Sequence, residues 1–157
     1  MDETIKRLLV EAELKILAAG SVFSVQDFSV SLSKKQLLSF LSPYLDQGEV
    51  GLVVPNIYYT VKFSNLFNPP KALPPDLSKV LAALTRLTGE SFQYDGGYCA
   101  NRLGLSTQIP LYHVLHTSGR SRRFKLAGVD VVLNHMDVKL IKAIKDQLSL
   151  EEYAKLL

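Results

Sequence analysis

Apolar positions near the start of the chain recur at intervals of three and four. Ile5, Leu8, Leu9, Ala12, Ile16 and Leu17 fall on one stripe of a helix from about Glu3 to Ala18, and that spacing predicts an amphipathic helix with this stripe buried. Gly20 is its expected stop, because glycine readily takes the left-handed conformation that follows many helices. Val22 and Phe23 form a short extended piece. Ser24, with Asp27 three residues on, reads as a capping-box start to a short second helix. Ser33 and Gln36 repeat the device ahead of a third helix, whose predicted inner face is Leu37, Leu38, Leu41, Tyr44 and Leu45. Pro43 inside that pattern predicts a kink or break in the last turn, and Gly48 closes it. "EVGLVV" and "IYYTV" are β-branched and aromatic runs separated by Pro55-Asn56, so a β-hairpin follows.

Helix, short helix, helix and hairpin in that order suggest a winged helix-turn-helix over residues 1–62. Three helices build a small core, the third can lie in a major groove, and the hairpin reaches flanking backbone. Four of the seven prolines (Pro69, Pro70, Pro74, Pro75) fall within residues 63–75. Proline fixes φ and removes a donor, so this stretch is expected to be an extended linker.

Residues 76–157 read as a second, smaller domain. Pro75-Asp76 opens a helix with Leu77, Val80, Leu81, Leu84 and Leu87 inward and Gly89 at its end. A short helix is expected around Tyr98 to Leu103, closed by Gly104. "LYHVLHT", "RRFKLAG" and "VDVVLNH" read as three strands, with Ser118-Gly119 turning the first pair and Gly128 the second. A last helix begins near Asp137, with a weaker one from Leu150. The expected fold class is α+β: an N-terminal winged helix-turn-helix, then a mixed α/β domain with an antiparallel sheet.

Composition narrows the function classes. With 47% hydrophobic and 21% charged residues the chain is a folded protein rather than a disordered tail. No apolar run is long enough to span a bilayer, no signal peptide is read at the N-terminus, and the lone Cys99 sets no disulfide framework; a cytoplasmic location is the expectation. The net charge of +3 is unevenly spread. Through residue 60, five lysines and arginines face seven acidic residues, a net of −2; the remaining thirteen against eight give +5.

Two basic clusters follow. Ser33, Lys34, Lys35, Gln36 and Ser39 begin the third helix, where lysines suit phosphate and Gln or Ser suit base edges. Lys62 follows the hairpin and could add a phosphate contact. On the structural reading, Ser33 and Gln36 only cap the helix, and its start is simply solvated. Arg120, Arg122, Arg123 and Lys125 form the most basic stretch, suited to DNA backbone or an acidic partner; alternatively they keep a sheet edge charged against edge-to-edge pairing.

Nothing in the sequence aligns a catalytic constellation. His113 and His116 are three apart in a predicted strand and so point to opposite faces. With His135 and Cys99 they give no metal-ligand spacing. G-x-S-x-G, Walker-type and H-E-x-x-H motifs are absent. No enzyme activity, cofactor or metal is expected.

One run carries more. Gly97, Tyr98, Ala100, Asn101, Leu103, Gly104, Leu105, Ser106, Thr107, Gln108 and Pro110, then Thr117 to Gly119 before a basic strand, resemble the signature of the AbiEi-like antitoxins of type IV toxin–antitoxin (abortive infection) systems. Gly20 to Phe28 and Gly48 to Val50 are similar to that family's N-terminal domain. The resemblance implies a bacterial repressor. Its winged helix-turn-helix would bind inverted repeats in its own promoter, in two copies, and the protein would counteract a nucleotidyltransferase-like toxin. Where related proteins carry basic residues near the end of the third helix and in the wing, this chain has Pro43, Asp46, Gln47 and Val54. The alternative reading is a protein-interaction module that meets a toxin or other acidic partner without binding DNA.

Overall fold

The computed structural model describes residues 2–94 and 112–146. It is an α+β protein that divides into two compact units, Met1–Thr88 and Gly89–Leu157. The expected helix at Tyr98 to Leu103, the one from Leu150, the "LGLSTQ" run and Cys99 lie outside the described residues.

The first unit opens with α1 (Glu3–Ile16), β1 (Val22–Phe23) and a 3-10 turn (Val25–Asp27). The Ser24–Asp27 capping box is formed, as the sequence predicts. Helix α2 (Lys34–Asp46) starts on the second capping box. The Ser33 hydroxyl accepts from Gln36 N at 3.0 Å, and Gln36 Oε1 accepts from Ser33 N at 3.0 Å. Pro43 does not break α2, which continues to Asp46. The partner that proline deprives, the Ser39 carbonyl, belongs to an exposed residue where solvent can take the vacancy. Gly48 at φ +75° then ends the helix with paired bonds, Gly48 N to Leu45 O and Glu49 N to Tyr44 O, satisfying its last carbonyls.

Strands β2 (Val50–Val54) and β3 (Ile57–Thr60) form the expected hairpin. Asn56 in its turn takes φ +73°, which asparagine tolerates better than most residues. The three-stranded sheet has the order β1-β3-β2. Its Gly51 lies opposite Tyr59, and any side chain there would overlap the Tyr59 ring. The core gathers Val10, Leu14, Phe23, Phe28, Leu37, Phe40, Leu41, Val50 and Tyr58. Phe23 meets Phe28 edge-on at 5.6 Å and stacks on Tyr58 at 6.0 Å.

Two helical faces differ from expectation. On α1 the buried residues are Val10 and Leu14, while Ile5, Leu8, Leu9, Ala12 and Ile16 are exposed. The helix has two apolar faces, and the core takes the narrower one, where Arg7 lies over the Phe40 ring at 4.9 Å. On α2 the inner face uses Phe40 instead of Leu38, which is 48% exposed.

Residues 63–75 are not a linker. Strands β4 (Lys62–Ser64) and β5 (Lys71–Leu73) pair antiparallel, Lys62 opposite Leu73. Helix α3 (Leu77–Thr88) buries Leu77, Val80, Leu81, Ala83 and Leu84 and packs against β1, β3 and the 3-10 turn. It therefore belongs to the first unit, and the division falls at Thr88/Gly89 rather than in the proline-rich stretch. Arg86 ties α3 down: its Nε reaches Asp27 Oδ1 at 2.7 Å and its Nη2 reaches Asp27 Oδ2 at 3.2 Å and the Val22 carbonyl at 3.1 Å.

The second unit holds β6 (Phe92–Tyr94), β7 (His113–Thr117), β8 (Arg122–Leu126) and β9 (Val129–His135), followed by a helix, α4, over residues 138–146. Asp137 starts α4 by accepting from Lys139 N at 2.9 Å. The three expected strands are present, and β8–β9 turns through Ala127-Gly128 at φ +53° and +79°. Ser118-Gly119 does not make a hairpin, however. The order is β6-β7-β9-β8, with β7 and β9 parallel, so the sheet is mixed rather than antiparallel. Leu115, Leu126, Val131, Leu133 and Ile141 are buried in this unit.

Candidate nucleic-acid interface

Helix α2 presents a continuous outer face because its apolar residues are committed inward. Leu37, Phe40 and Leu41 fill the core; at helical spacing this leaves Lys34, Lys35, Leu38, Ser39, Ser42 and Asp46 exposed on the other side. Of the residues the sequence singles out, Lys34, Lys35 and Ser39 stand on this face. Ser33 and Gln36 are engaged with each other at the N-terminus of the helix. Leu38 and Ser42 join Lys34, Lys35 and Ser39 on the outer face, without a sequence signal that marks either as an outer-face residue. The sequence puts Leu38 inward because Leu37-Leu38 offers two phases, and Phe40 decides between them.

The face begins basic and ends acidic. Lys34 and Lys35 lie in the first turn and Asp46 closes the last. Tyr44, on the inner side, has its hydroxyl held above the ordinary tyrosine value by partial burial and then by Glu11 and Glu49. The adjoining hairpin carries Val53, Val54, Pro55 and Asn56 at its tip, with no cation. Lys62 is exposed at the start of β4 and runs beside Gly20.

The second basic stretch is divided by the strand it occupies. Successive residues of β8 alternate faces, so Arg122 shares a side with Phe124 and Leu126, while Arg123 and Lys125 occupy the other. Arg122 does not face solvent as a free cation. Its Nη2 binds Glu90 Oε1 at 2.9 Å, and its Nη1 binds Glu90 Oε2 at 3.0 Å and the Arg120 carbonyl at 2.9 Å. Arg123 pairs with Asp130 at 3.4 Å. Lys125, also opposite Asp130 in register, and Arg120 are exposed. The four do not form one surface.

Glu90 is the hub of this corner. Its Oε2 also accepts from the Thr117 hydroxyl at 2.7 Å, and Thr117 Oγ1 accepts from Gly119 N at 3.0 Å. Ser118 Oγ accepts from Ser91 N at 2.8 Å. His135 Nδ1 lies 2.7 Å from the Gly119 carbonyl. The Thr-Ser-Gly segment is thus a folded corner held by a carboxylate. No sequence signal marks Glu90, an isolated acidic residue after a helix-stopping glycine.

Among the described residues no group of three or more His, Cys, Asp or Glu could hold a metal ion, and no helix is long and apolar enough to cross a membrane.

These elements define an α+β protein in which one exposed helix face, that of α2, combines two lysines with polar and apolar side chains, while α4 exposes Lys139, Lys142 and Lys145. The chain belongs to DUF6088, a family of unknown function, whose model matches residues 9–152. No curated protein and no solved structure matches it.

Proposed function

We propose that the chain is a DNA-binding transcriptional regulator whose first unit is a winged helix-turn-helix with α2 as its recognition helix. The observation that carries this reading is the outer face of α2. Lys34 and Lys35 are available for phosphates, Ser39 and Ser42 for base edges, and Leu38 for a thymine methyl. Supporting it are the order α1, β1, 3-10 turn, α2, β2, β3 and the sheet order β1-β3-β2. These put a hairpin directly after the candidate recognition helix, as a wing requires. The test is a mobility-shift titration on DNA upstream of the chain's own reading frame. Binding should weaken steeply with salt as released counterions accumulate. Unchanged affinity in the Lys34→Glu/Lys35→Glu variant would remove α2 from the interface.

The antitoxin role is proposed from the resemblance of residues 97–119 to the AbiEi-like signature. In that role the chain represses its own promoter and counteracts a nucleotidyltransferase-like toxin. Co-expression with such a toxin from a neighbouring reading frame tests it, with restored growth as the expected outcome. Asp46 and the uncharged hairpin tip favour the second reading, a protein-interaction module without DNA binding. That reading gains if the chain co-purifies with the toxin through Arg120, Arg123 and Lys125 and shifts no promoter DNA.

A further inference from the structure

Helix α1 is apolar on two opposite sides, and only one of them has a partner within its unit. Val10 and Leu14 enter the core. Turned about half a revolution away, Ile5, Leu8, Leu9, Ala12 and Ile16 form an exposed stripe, with Leu8 60% and Ile16 82% accessible. A surface helix ordinarily carries charged or polar residues opposite its buried stripe. Here three helical turns of that side are aliphatic, about 16 Å at 1.5 Å per residue.

We infer that this stripe is the seam of a homodimer in which two α1 helices pack antiparallel about a two-fold axis midway between Leu9 and Ala12. The choice of a second copy rests on the pattern itself. Four of its five members are symmetric about that midpoint: Ile5 lies opposite Ile16 of the second copy and Leu9 opposite its Ala12, while Leu8 lies level with the second copy's Glu13 at the border of the stripe. A two-fold interface needs this kind of self-matching patch. Ala12 at the centre lets the helix axes approach to the usual contact distance of about 8–10 Å. The border of the stripe carries both charge signs on the same side, Lys6 and Glu13. In the antiparallel register Lys6 of one copy falls within about one helical turn of Glu13 in the other, twice over; Glu13 also accepts from Ser29 N of its own chain, at 3.1 Å, and keeps lone pairs for a second donor. A purely acidic or purely basic partner would leave one of these charges opposed to its like. The inference does not depend on DNA binding. Where both hold, it supplies the two-fold symmetry that an inverted-repeat operator demands.

Light scattering coupled to gel filtration, on the full chain at rising concentration, tests it. The expected result is a dimer whose dissociation constant rises by about a hundredfold or more in Leu8→Glu/Ile16→Glu, since a few apolar anchors carry most of the energy of such interfaces and the two-fold introduces each charge twice. Both side chains are already exposed, so the helical circular dichroism should be unchanged. In a Cys99→Ser background, Ile5→Cys chains mixed with Ile16→Cys chains should cross-link oxidatively, while neither does so alone. A monomer at all concentrations, or a dimer indifferent to Leu8→Glu/Ile16→Glu, would overturn the proposal. Cross-linking of Ile5→Cys with itself would overturn the antiparallel register.

Discussion

The Arg122 guanidinium closes on the Glu90 carboxylate with two parallel hydrogen bonds, 2.9 and 3.0 Å, and both side chains are mostly buried at 23% and 14% exposure. Planar fork-to-fork pairing of this kind is strong and geometrically demanding. It joins the start of β6 to β8 across Thr117, so the edges of the mixed sheet share one anion. Removing one partner leaves the other desolvated and unpaired, which costs more than the net worth of the pair. Arg122→Ala or Glu90→Gln should therefore destabilise the chain by about 2–3 kcal/mol, below the cost for fully buried pairs because some solvent reaches this one. Arg122→Lys should recover only part, since an ammonium cannot reproduce the bidentate fork. With no tryptophan in the chain, far-UV circular dichroism in a urea titration is the suitable readout.

Gly119 should be as sensitive as either charge. A Cβ there would overlap the Glu90 carboxylate, and that carboxylate is held by Arg122 and Thr117, so it cannot swing away without breaking them. Gly119→Ala is expected to lower the urea midpoint at least as far as Thr117→Val does. If Gly119→Ala were neutral, Glu90 could not be fixed in this position.

Much of the local structure was legible in the sequence, because local structure follows local chemistry. Both capping boxes, the Pro55-Asn56 turn, the Gly48 stop and four of the inward residues of α3 (Leu77, Val80, Leu81 and Leu84) fall where side-chain type and spacing put them; Ala83 is buried in addition, and Leu87 only partly. Long-range choices were not legible. Periodicity alone favoured the wider apolar stripe of α1, since the stripe that packs is decided by Phe40 and Leu41 on another element. The same holds for β7, whose parallel partner β9 is set by the core of the sheet and not by the Ser118-Gly119 turn. Proline-rich residues 63–75 can still pair because Lys62–Ser64 and Lys71–Leu73 contain no proline. For the candidate interface, the lysines and Ser39 could be read directly; Leu38 could not, nor could the diversion of Arg122 to Glu90, which lies 32 residues away.

Arg86 and Asp27 fix α3 to the 3-10 turn, and the same carboxylate accepts from Ser24 N at 2.9 Å. One aspartate thus completes a cap and an ion pair. Asp27→Ala should cost more than Arg86→Ala, because it removes both. Since Arg86 is nearly half exposed, its loss is expected to cost on the order of 1 kcal/mol, and high salt should shrink this ion-pair component in both variants while leaving the capping contribution of Asp27. Thermal melts of the two variants at low and high sodium chloride would separate the terms.

Tyr58 gives the first unit an alkaline limit. Burial between β2 and β1 holds its hydroxyl above the ordinary tyrosine value of 10.0. A group that keeps its proton more tightly when folded contributes stability below its unfolded pKa, and that contribution fades as pH climbs through the folded one. The melting temperature should thus be insensitive to Tyr58 at neutral pH and fall above about pH 10. Tyr58→Phe should remove that component of the alkaline loss, leaving the part due to other groups. Equal alkaline slopes in the two proteins would show that the hydroxyl ionises without unfolding the sheet.

If α2 is the DNA-reading helix proposed above, the residues of its outer face are separable by salt. A lysine that neutralises one phosphate contributes close to one unit to the slope of log affinity against log salt. Lys35→Ala should reduce that slope by about 1 and weaken binding to specific and random DNA alike. Leu38→Ala carries no charge change, so the slope should stay fixed while the preference for the operator over random DNA falls, as expected for loss of an apolar contact to a base. Asp46→Asn should act in the opposite sense to Lys35→Ala. Removing a carboxylate from the end of the face relieves repulsion from the phosphate backbone, so affinity should rise for both kinds of DNA, most visibly at low salt where screening is weakest. Fluorescence anisotropy with labelled duplexes at several salt concentrations measures all three. If Asp46→Asn left affinity unchanged at low salt, the C-terminal end of α2 would have to lie away from the duplex, with the helix entering the groove by its first turn alone.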